Sequence, residues 1–388
     1  ENIEQFALKK IILINQDSGY LMVDLANALI ERNAEVELIA GRLVVRGTPL
    51  SSKAKFRRIT RYKRNSDFLR LLTWCVGFLQ ILFIVKTKHK NGHLLIVSNP
   101  PLATLLPLFC RNSFTFFIFD VYPDALRQMN IVSRQSVLYK IWEKANRKTF
   151  QRAVHIFTLT DTMAELLNHY CPPREIKIIS AWSDNEFFRS IPKANNPFII
   201  EHKLQNKFIV LYSGNLGATH DTIVIPHIAL EVKSHKVLFL IIGEGDQKKH
   251  LVEEIKKLRI TNLIMLPYQP VDMIPYSFAS ADIAIVSLSS KASSLSIPSK
   301  TFNFMSAGLP LLCIAGEESE LNNIVNKYKN GKCFSHKKVA EMAAFIDEVA
   351  ENEDLLSAYS RNSLEASADF TSRNANTIAE EVIKATSN

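Results

Sequence analysis

Short apolar runs alternate with longer polar or amphipathic stretches along the whole chain, and most runs stop at Gly, Asn, Asp or Pro. Runs this short suit strands covered on both faces, and strands alternating with helical segments imply parallel sheets joined by crossover helices. Two such series are present. The first has runs at residues 10–15, 35–40, 93–97, 114–119 and 154–159, with helical periodicity over 21–32. A polar, Pro-bearing stretch at 191–197 reads as a linker. The second series has runs at 208–212, 237–242, 263–266, 283–286 and 311–314. The expected class is therefore α/β, with two doubly wound, Rossmann-like domains facing a central cleft. One spans 1–194 and the other 195–388, and a last helix at about 367–388 can pack back on the first. A length of 388 residues agrees with two domains of ordinary size.

Charge is unevenly spread. The formal net charge is +9, yet residues 42–90 hold thirteen Lys or Arg against one acid, Asp67, a local +12. Such a patch attracts polyanions, either anionic lipid or nucleic acid, unless it is merely a solvated face. Within it, residues 68–85 are almost wholly apolar, broken by Arg70, Thr73, Gly77 and Gln80. Three structures suit that segment: a bilayer-spanning helix, a buried crossover helix, or a helix lying partly in a leaflet. Cations at both ends favour the last, with Arg57, Arg58, Arg61, Lys63 and Arg64 before it and Lys86, Lys88 and Lys90 after. Long aliphatic runs in place of spaced aromatics argue against nucleic acid. Five cysteines without Cys-x-x-Cys spacing argue against zinc or a disulfide framework and fit a reducing compartment. Residues 1–10 lack the zones of a signal peptide. The expected location is cytoplasmic, peripheral on the inner face of the cell membrane.

Ligands of open parallel sheets bind beyond the carboxyl ends of the strands. The run at 208–212 continues into Ser213-Gly214-Asn215-Leu216-Gly217, and a helix is expected from about Thr222. Glycines admit a phosphate to the backbone N–H groups, and a helix N-terminus adds positive potential. A tight turn without a ligand has the same appearance. Gly243-Glu244-Gly245 repeats the signal after the next run, and Tyr268 and Gln269, between two prolines, offer backbone to a nucleobase edge. The sharpest stretch begins at Pro298-Ser299-Lys300. Ser299 can cap a helix or donate to an anion, and a cation at Lys300 opposes the helix dipole unless an anion is bound. Asn303 lies one turn on, and Gly308 ends the helix. Together these loops point to a nucleotide diphosphate. In the first half, Asp120 and Asp124 follow a strand; they orient or deprotonate an acceptor, or else cap and support the turn. Tyr122 between them stacks on a sugar ring or simply packs. There is no Asp-x-Asp, so neither a metal nor any other cofactor is expected.

At this point the chain resembles glycosyltransferase family 4, of the GT-B fold, and within it bacterial capsule and O-antigen sugar transferases acting on lipid-linked acceptors. Ser98-Asn99-Pro100-Pro101-Leu102 is similar to the group's Ser-Pro-Pro-Leu loop, and Asp120-Val121-Tyr122-Pro123-Asp124 to its Asp-Leu-Trp-Pro-Glu. Gly214-Asn215-Leu216-Gly217 and the stretch from Pro298 to Pro310 complete the set. The resemblance implies a retaining transferase that moves a hexosyl- or N-acetylhexosaminyl-type sugar, with UDP the expected nucleotide. It implies catalytic roles for Asp120 and Asp124, and diphosphate binding by Gly214, Asn215, Leu216, Gly217, Ser299 and Lys300. It further implies nucleoside binding by Gly243, Glu244, Gly245, Tyr268, Gln269 and Asn303, and acceptor binding by Gly19, Asn99 and Tyr122. Expected partners are a nucleotide-sugar donor, a lipid-linked sugar acceptor and an anionic membrane surface. Many family members carry Glu-x7-Glu where this chain has Leu295 and Asn303, and an Arg and a Lys where it has Asn215 and His220. Lys300 then supplies the missing positive charge. The rival expectations are a nucleotide-sugar 2-epimerase and a non-catalytic membrane-bound subunit of a polysaccharide assembly system.

Overall fold

The computed structural model describes residues 10–63, 66–128, 131–171, 176–217, 219–289 and 297–386. The chain divides into two compact units, Glu1–Ala181 with Ser372–Asn388, and Trp182–Thr371. The stretch 182–194 thus goes with the second unit.

The first unit holds β1 (Ile11–Ile14), β2 (Val36–Ala40), β3 (Lys55–Arg58), β4 (His93–Val97), β5 (Phe114–Ile118), β6 (Ile156–Thr158) and β7 (Lys177–Ile178). They form one sheet in the order β3-β2-β1-β4-β5-β6-β7, parallel throughout. The chain winds outward one way from β1 and the other way from β4, so the strand order reverses between these two. The strands nearest that reversal are buried on both faces, in keeping with their largely apolar sequences. β3 differs. It is a short, basic, exposed edge strand, which discourages pairing with another chain. Its charges are also used internally. Lys55 pairs with Glu35 at 2.9 Å, and Arg57 pairs with Glu37, which is buried and also meets Lys10 at 3.0 Å. Arg57 is therefore a partner of a buried carboxylate, not one of the freely available cations counted from the sequence.

Three helices of this unit matter below: α1 (Tyr20–Glu31), α2 (Asp67–Lys88) and α3 (Val137–Phe150). α2 covers the apolar segment and is long and apolar enough to cross a membrane. One of its faces is nevertheless built into the unit. Ile81 and Val85 are fully buried, and a side chain at Gly77 would overlap the Gln16 amide. That amide donates to the carbonyls of Thr60 and Thr73 at 2.9 and 2.8 Å, tying α2 to the end of β1. The other face points outward: Phe68 is 73% exposed and Phe83 67%, with Leu71, Leu72 and Leu79 between them also exposed. The C-terminal helix Arg373–Thr386 packs on α1, where Arg32 donates to Asn376 at 2.8 Å and Glu380 at 2.7 Å.

The second unit repeats the plan. β8 (Phe208–Ser213), β9 (Val237–Ile242), β10 (Leu263–Leu266), β11 (Ile283–Ser287), β12 (Leu311–Ile314) and β13 (Gly331–Phe334) lie in the order β10-β9-β8-β11-β12-β13, again all parallel. The reversal falls between β8 and β11. The helix after β8, α4 (Val224–Glu231), starts two residues later than expected, and α5 (Lys300–Ser306) follows β11. Gly308, at φ +75°, ends α5 in the left-handed conformation that a glycine adopts without strain.

Candidate functional site

The loops at the β8–β11 reversal meet closely. Gly214 has φ +147°, and its N–H donates to the Ile242 carbonyl at 2.9 Å. A side chain on Gly243 would overlap the Gly214 carbonyl, so the two loops touch backbone to backbone. The Leu216 N–H donates to the Glu244 carbonyl at 2.9 Å, and the Gln247 N–H to the Leu216 carbonyl at 2.9 Å. Asn215 tucks its side chain against Gly217 and Gly245, while its carbonyl accepts from the Tyr212 hydroxyl at 2.7 Å. Gly214, Asn215, Leu216, Gly217, Gly243, Glu244 and Gly245 thus form one continuous cradle. Tyr268 joins it through its hydroxyl, 3.3 Å from the Glu244 carbonyl.

Lys300 completes the cradle. Its ammonium nitrogen would lie 3.2 Å from a Cβ placed on Gly214, and it sits 3.8 Å from the Tyr212 ring centroid. The nitrogen is buried, and no hydrogen-bond partner for it is found among the described residues. Desolvation lowers its pKa from 10.5 to about 7. A buried, unmatched cation beside half-buried glycine backbone is suited to an anion, because unmet hydrogen bonds cost free energy that an anion's oxygens return. Ser299, at the N-cap of α5, is exposed and makes no capping bond, so its hydroxyl is available to the same anion.

Other expected contributors stand differently. His220 faces the Ser287 carbonyl at 3.2 Å, and burial followed by the Lys300 charge lowers it to about 4. It is neutral at pH 7, so it does not take over the cation of the usual family pattern. Glu244 spends its carboxylate on Lys248 at 2.7 Å. Gln269 is exposed and donates to the Pro267 carbonyl at 2.9 Å. Asn303 is buried one turn into α5. Leu295 lies outside the described residues.

In the first unit the corresponding loops follow β1, β4 and β5. The Gln16 N–H donates to the Asn99 carbonyl at 2.9 Å, joining the first two. The Ser98 hydroxyl accepts from the N–H groups of Phe119 and Asp120, both at 3.0 Å, joining the last two. The side-chain oxygens of Asn15, Gln16 and Asn99 are buried here, and no partner for them is found among the described residues. Gly19 caps α1 with open space where a side chain would stand. Asp120 reaches solvent, yet enough protein surrounds it that desolvation raises its carboxyl above the ordinary range.

The two acids of this loop therefore part company. Asp124 is only 2% exposed and accepts from the Tyr139 hydroxyl at 2.7 Å and from the Tyr170 hydroxyl. A carboxylate so enclosed holds the loop together, which favours the supporting alternative for Asp124 over the catalytic one and makes Asp120 the more accessible of the two acids. Sequence reasoning missed Tyr212, whose ring lies under Lys300. An aromatic residue inside an apolar strand carries no signal of such a contact.

Residues 196–366 match the family model for "Glycosyl transferases group 1". The "Probable glycosyltransferase WbjE" of Pseudomonas aeruginosa is 25% identical over 287 residues, which is 71% of this chain and 70% of that protein. Among solved structures, WaaG, a glycosyltransferase involved in lipopolysaccharide biosynthesis, superposes with a TM-score of 0.70 at 13% identity, over 97% of this chain and 99% of that one. Anabaena Alr3699/HepE in complex with UDP-glucose superposes with a TM-score of 0.71 at 14% identity, over 97% of this chain and all of its own. The group 1 glycosyltransferase model thus matches the second unit, and the chain along nearly its full length has the GT-B fold of these transferase structures.

Proposed function

We propose that the protein is a retaining transferase that moves a hexosyl- or N-acetylhexosaminyl-type sugar from UDP to a lipid-linked or surface-polysaccharide acceptor at the cytoplasmic face of the membrane. The observation that carries the donor half of this reading is the buried, unmatched Lys300 ammonium beside Gly214. It neutralises charge as the sugar–phosphate bond breaks, together with the loop N–H groups and the Ser299 hydroxyl. Stabilising a leaving diphosphate in this way needs positioning and electrostatics rather than covalent chemistry. Asp120, with its raised carboxyl, orients the attacking hydroxyl or takes its proton. The UDP-glucose bound in HepE supports UDP as the nucleotide, and the involvement of WaaG in lipopolysaccharide biosynthesis supports the acceptor class.

The membrane half rests on α2. Its outer face exposes Phe68, Leu71, Leu72, Leu79 and Phe83, and Arg58, Arg61, Lys86, Lys88 and Lys90 lie exposed beside its ends. A helix with one face in a protein core and an apolar face outward between cations lies in the headgroup region of an anionic leaflet. The deciding experiment is a donor screen reading UDP and GDP release with and without a lipid-diphosphate-linked sugar. Acceptor-dependent UDP release supports transfer. Donor isomerisation without an acceptor points to an epimerase, and donor binding without turnover to a non-catalytic subunit.

A further inference from the structure

The Lys300 ammonium has no hydrogen-bond acceptor among the described residues, yet it does have a counterpart. It sits 3.8 Å from the centroid of the Tyr212 ring, well inside the distance of about 6 Å at which a ring face attracts a cation. Gly214 permits the approach, because a Cβ there would stand only 3.2 Å from the nitrogen. Tyr212 is held on every side. It lies in β8, between β9 and β11, and is fully buried. It shares a core cluster with Val210, Leu216, Ile241 and Ile285. Its hydroxyl donates to the Asn215 carbonyl at 2.7 Å, so the same side chain also ties down the turn from Gly214 to Gly217.

A ring serves here where a carboxylate would not. A carboxylate beside Lys300 would occupy its N–H groups and repel a diphosphate. A ring face attracts the charge through its quadrupole and carries no formal charge of its own. The ammonium therefore keeps its three donors for oxygens that arrive over the cradle. Such attraction is strongest where water is excluded, and desolvation is what lowers the proton affinity of Lys300. Among the ionisable groups around the pair, His220 is lowered to about 4, Glu244 is spent on Lys248, and Tyr268 acts on the Tyr212 hydroxyl. His220 is thus neutral at pH 7, and the ring is what opposes the loss of charge from Lys300.

We propose that Tyr212 is a positioning residue for the donor: its ring holds the Lys300 ammonium charged and beside Gly214, and its hydroxyl fixes the turn at Asn215, so that cation and turn are aligned before a diphosphate binds. This assignment rests on the reading of Lys300 as a diphosphate ligand and adds what keeps that lysine charged and in place. Tyr212 acts through Lys300 and does not itself touch the donor.

The test follows the Lys300 proton directly. In protein labelled with carbon-13 at the lysine Cε, the Lys300 signal is the one that Lys300→Met removes, and its shift tracks protonation as pH is varied. Tyr212→Phe keeps the ring. The same variant carrying one, two or three ring fluorines keeps nearly the same shape and draws negative charge away from the ring face. The titration midpoint should fall with each fluorine, by about one pH unit across the series, as expected for a desolvated cation–ring contact. UDP affinity should follow, falling across the series by about tenfold at pH 8 and only about twofold at pH 6, where most of the ammonium is charged in either case. Tyr212→Phe itself should weaken UDP by up to about tenfold at both pH values, because the tie to Asn215 is lost. A midpoint indifferent to fluorination, or a loss of UDP affinity that is equal at both pH values across the series, overturns the proposal and leaves Tyr212 as a packing residue. If Lys300→Met leaves UDP affinity unchanged, the donor reading itself fails, and the midpoints still decide whether the ring holds the ammonium.

Discussion

Lys300 carries its charge out of reach of water, and no acceptor for it is found among the described residues. Its ammonium is desolvated in the empty protein, with a pKa near 7 against an ordinary 10.5. The unfolded chain therefore binds this proton more tightly than the folded one. The destabilisation is full below about pH 7 and fades as pH rises towards 10.5. A bound diphosphate reverses the preference, so donor binding takes up a proton above pH 7. Donor affinity should fall by up to about tenfold per pH unit there, measured by calorimetry in buffers of different ionisation heat. A Lys300→Met variant should bind donor at least about tenfold more weakly and lose this pH dependence. A pH-independent affinity in the unaltered protein would remove Lys300 from the diphosphate. Asp120 and Asp124 make a second contrast at this scale. Asp120→Asn should lower turnover by roughly 10²-fold or more with donor affinity unchanged. Asp124→Asn should lower the melting temperature instead, because two buried tyrosine hydroxyls lose their charged acceptor. The opposite pattern would return catalysis to Asp124.

At the scale of elements, α2 carries two faces with separate duties. Replacing Phe68, Leu79 and Phe83 by Gln should abolish sedimentation with anionic vesicles and leave the melting temperature nearly unchanged, since these side chains are exposed. Ile81→Ala should do the reverse and cost about 2–5 kcal/mol of stability, as large-to-small changes in a packed core do. Loss of vesicle binding through Ile81 alone, with the outer face indifferent, would leave α2 as an ordinary crossover helix. The cations need equal care. Arg58, Arg61, Lys86, Lys88 and Lys90 are the ones to neutralise, because Arg57→Gln strips a charged partner from buried Glu37 and should cost about 2 kcal/mol. This division also marks what the sequence reveals. Strands such as His93–Val97 and Val237–Ile242 stand at the expected residues, because burial on both faces leaves a continuous apolar run. β3 and β13 escape detection: Lys55–Arg58 is a charged edge, and Gly331–Phe334 is short and half-buried. Likewise the glycine loops mark the cradle beside Lys300, because close backbone approach excludes other residues. The row of rings formed by Tyr62, Trp74, Tyr122 and Trp142 leaves no such mark. Rings from three distant segments meet only through tertiary packing, and each looks like a core residue in its own stretch.

The whole molecule repeats one device. In both sheets the strand order reverses after three strands, and in each the reversal gathers the loops with unmatched polar groups: Asn15, Gln16 and Asn99 in the first unit, Lys300 in the second. A parallel sheet leaves a crevice at that point, so polar residues there meet a ligand instead of a neighbouring helix. The chain then completes its first unit with its last helix, which makes that helix a test of how the two cores are partitioned. Ala375, Ile378, Ala379 and Val382 are buried against the first unit, and Arg32, Lys177 and Ser180 bond to Glu380, Glu381 and Asn374. Burying Ile378 and Val382 alone contributes about 1.5–3 kcal/mol each. Together with the lost ion pairs, this is a large share of the roughly 5–15 kcal/mol that holds a domain folded. Removing residues 372–388 should therefore unfold the first unit while the second, whose core lies wholly within Trp182–Thr371, continues to bind UDP. Limited proteolysis with mass spectrometry reads the outcome: cleavage should concentrate before residue 181, and UDP should still protect the remainder. A shortened chain whose first unit stays protease-resistant would show that the C-terminal helix only covers that unit and does not complete its core.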